Sequence, residues 1–299
     1  MTTTPPRIRV RIGSGRAAAL LSLVLLAGGC STGQLVVRGA MPLMGGGLEA
    51  MNRETDLELA RSAIPATLKM LEGMALEDPG NAALRLYAAQ GFYGYSYSFV
   101  ELEDPARAAA LYTRCLEHAA AALRSQGFGA DVEAAPQDVL NEALADAGAH
   151  QVPALFWAAS CLAKRTDVDR TDPRGIAQLA RAARIMERVL ALDGNYYYGG
   201  PHLFFGVYYG GRAPMLGGDP DRAARHFERA RAASGGRLLI ADVLRAEFLA
   251  RQQLDQRDFH ARLTAVLAAP DDLFPEMAFV NQVAKARARH LLSKESEWF

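Results

Sequence analysis

The stretch from Gly199 to Gly236, GGPHLFFGVYYGGRAPMLGGDPDRAARHFERARAASGG, constrains the fold of this chain more than any other. It reads as an aromatic helix, a glycine-rich loop and a charged helix. The first helix carries Phe205 and Gly206 side by side, with Tyr209 one turn further on. The second carries Ala223, Phe227 and Ala230, a four-then-three spacing that holds small and aromatic residues on one face. Two such segments joined by a short loop predict a helical hairpin.

The pattern resembles the tetratricopeptide (TPR) unit: a large–Gly pair, an aromatic on the next turn, then Ala-x3-Phe-x2-Ala on the returning helix. Tyr209 and Ala223 lie fourteen residues apart where the consensus has about nine, so the loop RAPMLGGDP is longer by about five. A second copy lies upstream, where Phe92, Tyr95–Ser96 and Phe99 are followed by Ala108, Tyr112 and Cys115. A third, degenerate copy has Leu155, Ala158–Ala159 and Leu162, then Ala182, Met186 and Val189. Asp78–Pro79, Asp104–Pro105, Asp172–Pro173 and Asp219–Pro220 each precede an apolar-periodic stretch, a helix-start signal. Pro65 is expected in the first turn of the helix IPATLKMLEGMA, where its missing N–H costs little. The expected fold is all-α: TPR-like helical hairpins of the α-solenoid type, roughly ten to twelve helices with a concave inner face.

The N-terminal end suggests a compartment. Residues 1–29 hold Arg7, Arg9, Arg11 and Arg16 and no acid, followed by the apolar run AAALLSLVLLAG and then Cys30. That run is too short to span a bilayer core, which needs roughly twenty residues. A basic stretch, a short apolar core and small residues before a cut make an export signal. Ala27, Gly28 and Gly29 directly before Cys30 make it a lipoprotein signal, with Leu26 one place further out than the usual lipobox leucine. The expected division is therefore a removed signal at 1–29, an acylated N-terminus and linker at 30–50, and a single helical domain at 51–299. Ser31 after the acylated Cys30 points to the outer membrane's periplasmic leaflet.

Composition narrows the function. The whole chain has 33 basic and 33 acidic residues; loss of residues 1–29 removes four arginines and leaves a formal −4. No basic stripe remains, so nucleic acid is excluded as a partner. The six histidines are scattered without metal-ligand spacing, and no P-loop or nucleophile elbow occurs. Asp167, Asp169 and Asp172 lack the glycine and glutamate of a Ca²⁺ loop. No cofactor, metal site or enzyme activity is expected. Cys115 and Cys161 read as buried thiols packing as small hydrophobes, although an exported compartment also permits a disulfide.

The aromatic inventory is what remains. Tyr196, Tyr197 and Tyr198 precede Phe204, Phe205, Tyr208 and Tyr209, and Phe92, Tyr93, Tyr95, Tyr97 and Phe99 form a second group. Consecutive helical residues are rotated by about 100°, so these rings do not all face one core. Some pack between helices; others point to solvent, a partner or a cleft. The candidate cleft or partner-contact residues are Tyr95, Phe99, Tyr197, Tyr198, Phe205, Tyr208, Tyr209 and Arg212, with Pro214, Gly217 and Gly218 in a gating loop. Arg212 either meets an organic acid's carboxylate or caps the preceding helix.

Taken in order, the lipobox, SAIPATLKMLEG, YSYSFVELEDPARAAALYTR, FFGVYYGGRAPMLGGDPDRAARHFERA and FVNQVAKARARHLL resemble the TatT family, the T components associated with TRAP (tripartite ATP-independent periplasmic) transporters. The resemblance implies an all-α fold of cryptic TPR units on a periplasmic lipoprotein. It also implies work with a TRAP-type substrate-binding protein in moving organic solutes. It supplies no catalytic residue. Two readings follow: a transport accessory that docks the binding protein and holds or channels an apolar or acidic organic ligand, or an envelope-assembly scaffold without a small-molecule ligand. Surplus aromatics are compatible with a homo-oligomer, and the membrane enters only through the N-terminal lipid.

Overall fold

The computed structural model describes residues 31–168 and 175–299. Among them are thirteen α-helices and no strand. Helix α1 (Thr32–Asn52) starts on a reciprocal cap, Ser31 Oγ accepting from the Gln34 amide and Gln34 Oε1 accepting from the Ser31 amide. The stretch expected to be a linker is thus helical. Helix α2 (Leu57–Glu77) begins at Asp56, so Pro65 lies well inside it rather than in its first turn. Its buried residues Ala60, Ile64, Leu68, Leu71 and Ala75 recur at helical spacing and face the core.

Helix α3 (Ala82–Tyr95) is capped by Asn81, not by Asp78. Asp78 instead ends α2 and is buried under Arg38. The α3 chain continues through a wide π-type turn, Ser96–Val100, where the Glu101 amide donates to the Ser96 carbonyl. Helix α4 (Pro105–Ser125) has the expected Asp104 cap and Pro105 in its first turn. Helices α5 (Gln137–Asp146), α6 (Val152–Val168) and α7 (Gly175–Leu192) follow. The Asp172–Pro173 signal lies outside the described residues.

The aromatic–glycine hairpin is α8 (Tyr196–Gly210) and α9 (Pro220–Ala233), packed along their lengths. A Cβ added at Gly206 would lie 2.7 Å from the Phe227 ring, so the glycine is what lets the two helices touch. Asp219 caps α9, and its own amide donates to the Tyr209 carbonyl, fixing the ends of the inserted loop. Helix α10 (Ile240–Arg245) runs into a second π-type turn, Ala246–Ala250. Helices α11 (Gln256–Ala268), α12 (Ala278–Ser293) and α13 (Glu295–Trp298) complete the chain.

Neighbouring helices pack in series: α2 on α3, α3 on α4, α4 on α6, α6 on α7, α8 on α9, α11 on α12. The series closes on itself, because α12 also packs against α1 and α2. Phe279 of α12 meets Phe99, and Arg287 donates to the Tyr97 carbonyl at 2.6 Å. Cys115 of α4 and Cys161 of α6 form a disulfide with Cα atoms 5.9 Å apart. The preferred reading of two free buried thiols is therefore corrected; α4 and α6 lie side by side although their cysteines are 46 residues apart.

Candidate functional site: an aromatic-rich cavity

The closed series surrounds a cavity of about 680 Å³. Its wall takes residues from α1, α2, α3, α6, α7, α8, α10 and α12. Many aromatic rings line it: Tyr87, Tyr93, Tyr95 and Tyr97 from α3 and its π-type turn, Phe156 and Trp157 from α6, Tyr197, Phe204 and Tyr208 from α8, and Phe248 and Phe279. Met44, Leu48 and Met51 of α1 and Ile64, Leu68 and Leu71 of α2 supply the aliphatic side. Both π-type turns contribute to the wall, through Tyr97 and Ser98 on one and Phe248 on the other. The extra backbone residue in each shifts the side-chain phase that a regular helix would impose.

Tyr197 is held in place by unusual backbone. Tyr197 and Tyr198 have φ of 49° and 57°, and Gly199 has 83°, so α8 opens on a left-handed kink. Two bulky residues with positive φ are costly, and such strain persists only where packing over-determines it. Here the Tyr197 ring lies 5.3 Å from Trp157 and 5.9 Å from Phe156, and its hydroxyl accepts from Gln90 Nε2 at 3.4 Å. Gly200 follows because a Cβ there would meet the Phe156 ring at 2.7 Å.

Polar residues enter the wall from several helices, Asn52, Thr67, Gln90 and Ser98 among them. Ser160, Lys164, Thr166 and Asp167 line it from α6, and Arg212 lines it just past the end of α8. Lys164 Nζ donates to Glu101 at 2.9 Å and to Asp167 at 3.3 Å. Glu101 also accepts from Tyr112 Oη at 2.5 Å and from Arg287 at 3.2 Å. Burial alone would raise the Glu101 carboxyl, but Lys164 and Arg287 hold it below the usual carboxylate range. Burial likewise works against the Lys164 ammonium, and Glu101 and Asp167 outweigh it, so the amine stays charged. Tyr93 beside them is pushed up to about 12 by burial, and the Tyr97 hydroxyl is raised further by the same cause. Among the described residues Lys164, Asp167, Glu101, Tyr112 and Arg287 form one hydrogen-bonded ionic group, of which Lys164 and Asp167 line the largely apolar wall.

The residues expected from sequence to form the cleft separate into two groups. Tyr95, Tyr197, Tyr208 and Arg212 line the cavity. Phe99 is buried between Phe279 and the Arg61 guanidinium, and Tyr198 packs edge-on against Phe274. Phe205 and Tyr209 are buried in the α8–α9 seam, where both rings meet His226. Arg212 adopts the capping geometry: Nε donates to the Tyr208 carbonyl at 2.8 Å and the guanidinium lies 3.5 Å from the Tyr208 ring centroid. In the loop, Pro214–Leu216 forms one 3₁₀ turn, Gly217 has φ of 84°, and a Cβ on Gly218 would run into the Arg212 carbonyl. None of Pro214, Gly217 and Gly218 lines the cavity. Cys30 lies outside the described residues, as do Asp169 and Asp172.

Sequence reasoning missed Lys164, Glu101, Arg287, Gln90 and the α1 methionines. Lys164 had one signal, an ammonium directly after the apolar stretch ALFWAASCLA. Glu101 and Arg287 had none, being 186 residues apart. His202 and His226 are also paired, Nδ1 to Nδ1 at 2.9 Å across α8 and α9, and no third ligand group stands with them among the described residues.

Residues 53–299 match the family described as the TRAP transporter T-component. The chain belongs to that family. The T-component assignment covers every helix from α2 to α13 and makes the protein an accessory component of a TRAP transport system. This T-component is also similar to an uncharacterised protein of Treponema pallidum (strain Nichols), 22% identical over 265 residues, covering 82% of this chain and 81% of that protein. No helix among the described residues is long and apolar enough to cross a membrane.

Proposed function

We propose that this T-component holds or channels an organic solute, apolar with one acidic or hydrogen-bonding end, inside the cavity, in concert with a periplasmic TRAP-type substrate-binding protein. The observation that carries this reading is the cavity itself: about 680 Å³, set within the helical array, apolar over most of its wall with many aromatic rings, and carrying the charged residues Lys164, Asp167 and Arg212. Sites for small organic molecules have this volume and this mix of apolar surface with few polar groups. The described wall offers hydroxyls, amides, a carboxylate and cations, groups suited to binding, and we read the protein as a non-enzyme. The N-terminal signal supports an acylated Cys30 holding the body to the outer membrane's periplasmic leaflet.

The alternative, a scaffold for envelope assembly, calls for an open groove that takes a protein segment. A largely apolar cavity of about 680 Å³ is instead of the size that small organic ligands fill. Gly94 provides the test, because it lines the cavity and a Cβ added there meets nothing within 4 Å. Gly94→Phe should fill the lumen while leaving the helical circular dichroism and the melting temperature close to wild type. Mass spectrometry of solvent extracts should find a co-purifying organic acid or apolar compound in wild type and at least tenfold less in Gly94→Phe. Equal recovery, or none from either protein, would sink the cargo reading. Crosslinking in the periplasm should separately recover a TRAP-type binding protein; recovery of envelope-assembly proteins alone would favour the scaffold.

A further inference from the structure

Helix α1 has two apolar faces, and the body covers only one. Val37 is 4% exposed and packs with Leu71, Ala75, Leu84 and Ala88, while Met44, Leu48 and Met51 line the cavity. On the opposite side Leu35, Val36 and Leu43 are 71%, 70% and 74% exposed. Gly39, Pro42, Gly46 and Ala50 are exposed beside them. With about 100° per residue, all seven fall within an arc of roughly 120°. Three exposed aliphatic side chains on one strip of a helix that already buries its other face form a contiguous apolar surface of the kind that marks an interaction site.

Two features of the chain select that partner. Helix α1 begins with Thr32, directly after its cap Ser31, so the helix starts two residues from Cys30. If Cys30 carries acyl chains seated in a leaflet, the first turn of α1 lies within about 7 Å of the anchored residue. The second feature is charge. Residues 31–48 contain no acid, and the one arginine among them, Arg38, is turned back onto the buried Asp78 at 2.9 Å. The exposed strip thus presents nothing that an anionic headgroup layer would repel. The first acid, Glu49, sits near the far end and pairs with Arg53.

We propose that the Leu35–Val36–Leu43 face of α1 lies in the lipid–water interface, so that α1 is both the membrane-contacting surface of the protein and one wall of its cavity. The proposal rests on acylation of Cys30, as read above. It places the helix flat along the leaflet, over about 32 Å for 21 residues. The cavity side bearing Met44, Leu48 and Met51 then faces the bilayer across a single helix.

The test uses the full lipoprotein, expressed with its own signal and reconstituted into phosphatidylethanolamine–phosphatidylglycerol vesicles. Val36→Cys and Leu43→Cys carry an environment-sensitive fluorophore, with Met215→Cys and Leu254→Cys, 90% and 73% exposed in wild type, as body controls. Cys115 and Cys161 are bonded to each other and do not compete for label. Nitroxide-bearing lipids should quench the Val36 and Leu43 probes at least threefold more than both body probes. Adding Leu35→Glu to the Leu43→Cys protein should abolish the difference without releasing protein from the vesicles. Quenching no stronger than at the body sites, with the protein still floating on vesicles, overturns the interfacial face and leaves the anchor intact. Failure to float overturns the acyl anchor and the proposal together. Probes shielded from water but not quenched by lipid, with a doubled or tripled particle mass in detergent, would assign the face to a second copy and equally overturn it.

Discussion

Gly206 is the residue on which the α8–α9 hairpin turns. It occupies the small position of the sequence pattern because Phe227, 2% exposed, lies directly over it. Gly206→Ala puts a methyl 2.7 Å from that ring, and the helices must separate to admit it. Such overpacking costs about 1–3 kcal/mol, which should appear as a lower urea midpoint, while Gly94→Ala at an open site should not lower it. The neighbouring histidines carry a pH signature. Burial, then His202 and the arginines Arg229, Arg222 and Arg225, bring the His226 imidazole down to about 4; burial and Arg229 lower His202. The folded state therefore favours neutral imidazole. This contribution is complete above the unfolded value of about 6.5, falls as pH drops from there toward about 4, and then levels. For a half-exposed group it is discounted to roughly 1–2 kcal/mol. In His226→Gln, urea titrations should show a shallower loss of stability between pH 6.5 and 4.5 than in wild type.

At the scale of elements, the caps explain which boundaries the sequence reveals. Asp104 and Asp219 each accept from the amide three residues on, with proline opening the helix, as the dipeptide rule expects. Asp78–Pro79 breaks the rule because Asp78 is held by Arg38 and Asn81, and Asn81 performs the capping instead. Asp219→Ala should cost about 1 kcal/mol and loosen the loop at 211–218, read as faster hydrogen exchange at the amides of Gly217 and Gly218. The left-handed entry to α8 had no legible signal. Tyrosine is a poor residue at positive φ, and the run Tyr196–Tyr198 reads as continuous helix. Contacts with Phe156, Trp157 and Phe274 hold those tyrosines against their backbone preference. The two π-type turns are equally hidden, since YSYSFV and AEFLA have ordinary helical composition.

Across the whole molecule, ring closure depends on α12 reaching back to the first helices. Arg287, 5% exposed, bonds the Tyr97 carbonyl and the Glu101 carboxylate, and its guanidinium lies 4.0 Å from the Tyr97 ring centroid. Removing one member of a buried ionic group leaves the others under-compensated, at about 3–5 kcal/mol. Arg287→Met should therefore lower the unfolding free energy by about 3 kcal/mol, the low end of that range, because Lys164 and Tyr112 still satisfy Glu101. The exposed pair Lys294–Glu297 offers the comparison; Glu297→Gln should change it by no more than about 0.5 kcal/mol.

The sequence by itself determined the all-α class, the α8–α9 hairpin, two of the caps and the family to which residues 53–299 belong. These are local properties. Periodicity of 3.6 residues sorts each helix into faces, and glycine, proline and aspartate mark where a helix starts or how closely it packs. Only the tertiary structure decided that Cys115 and Cys161 are bonded, that α12 closes the array, and that the aromatic faces surround a lumen. It also decided which rings line that lumen. Phe205 and Tyr209 look as exposed to ligand in sequence as Phe204 and Tyr208, yet the first two are sealed in the α8–α9 seam. An apolar face gives the same pattern whether it meets another helix or an empty space, because burial depends on neighbours up to 190 residues away.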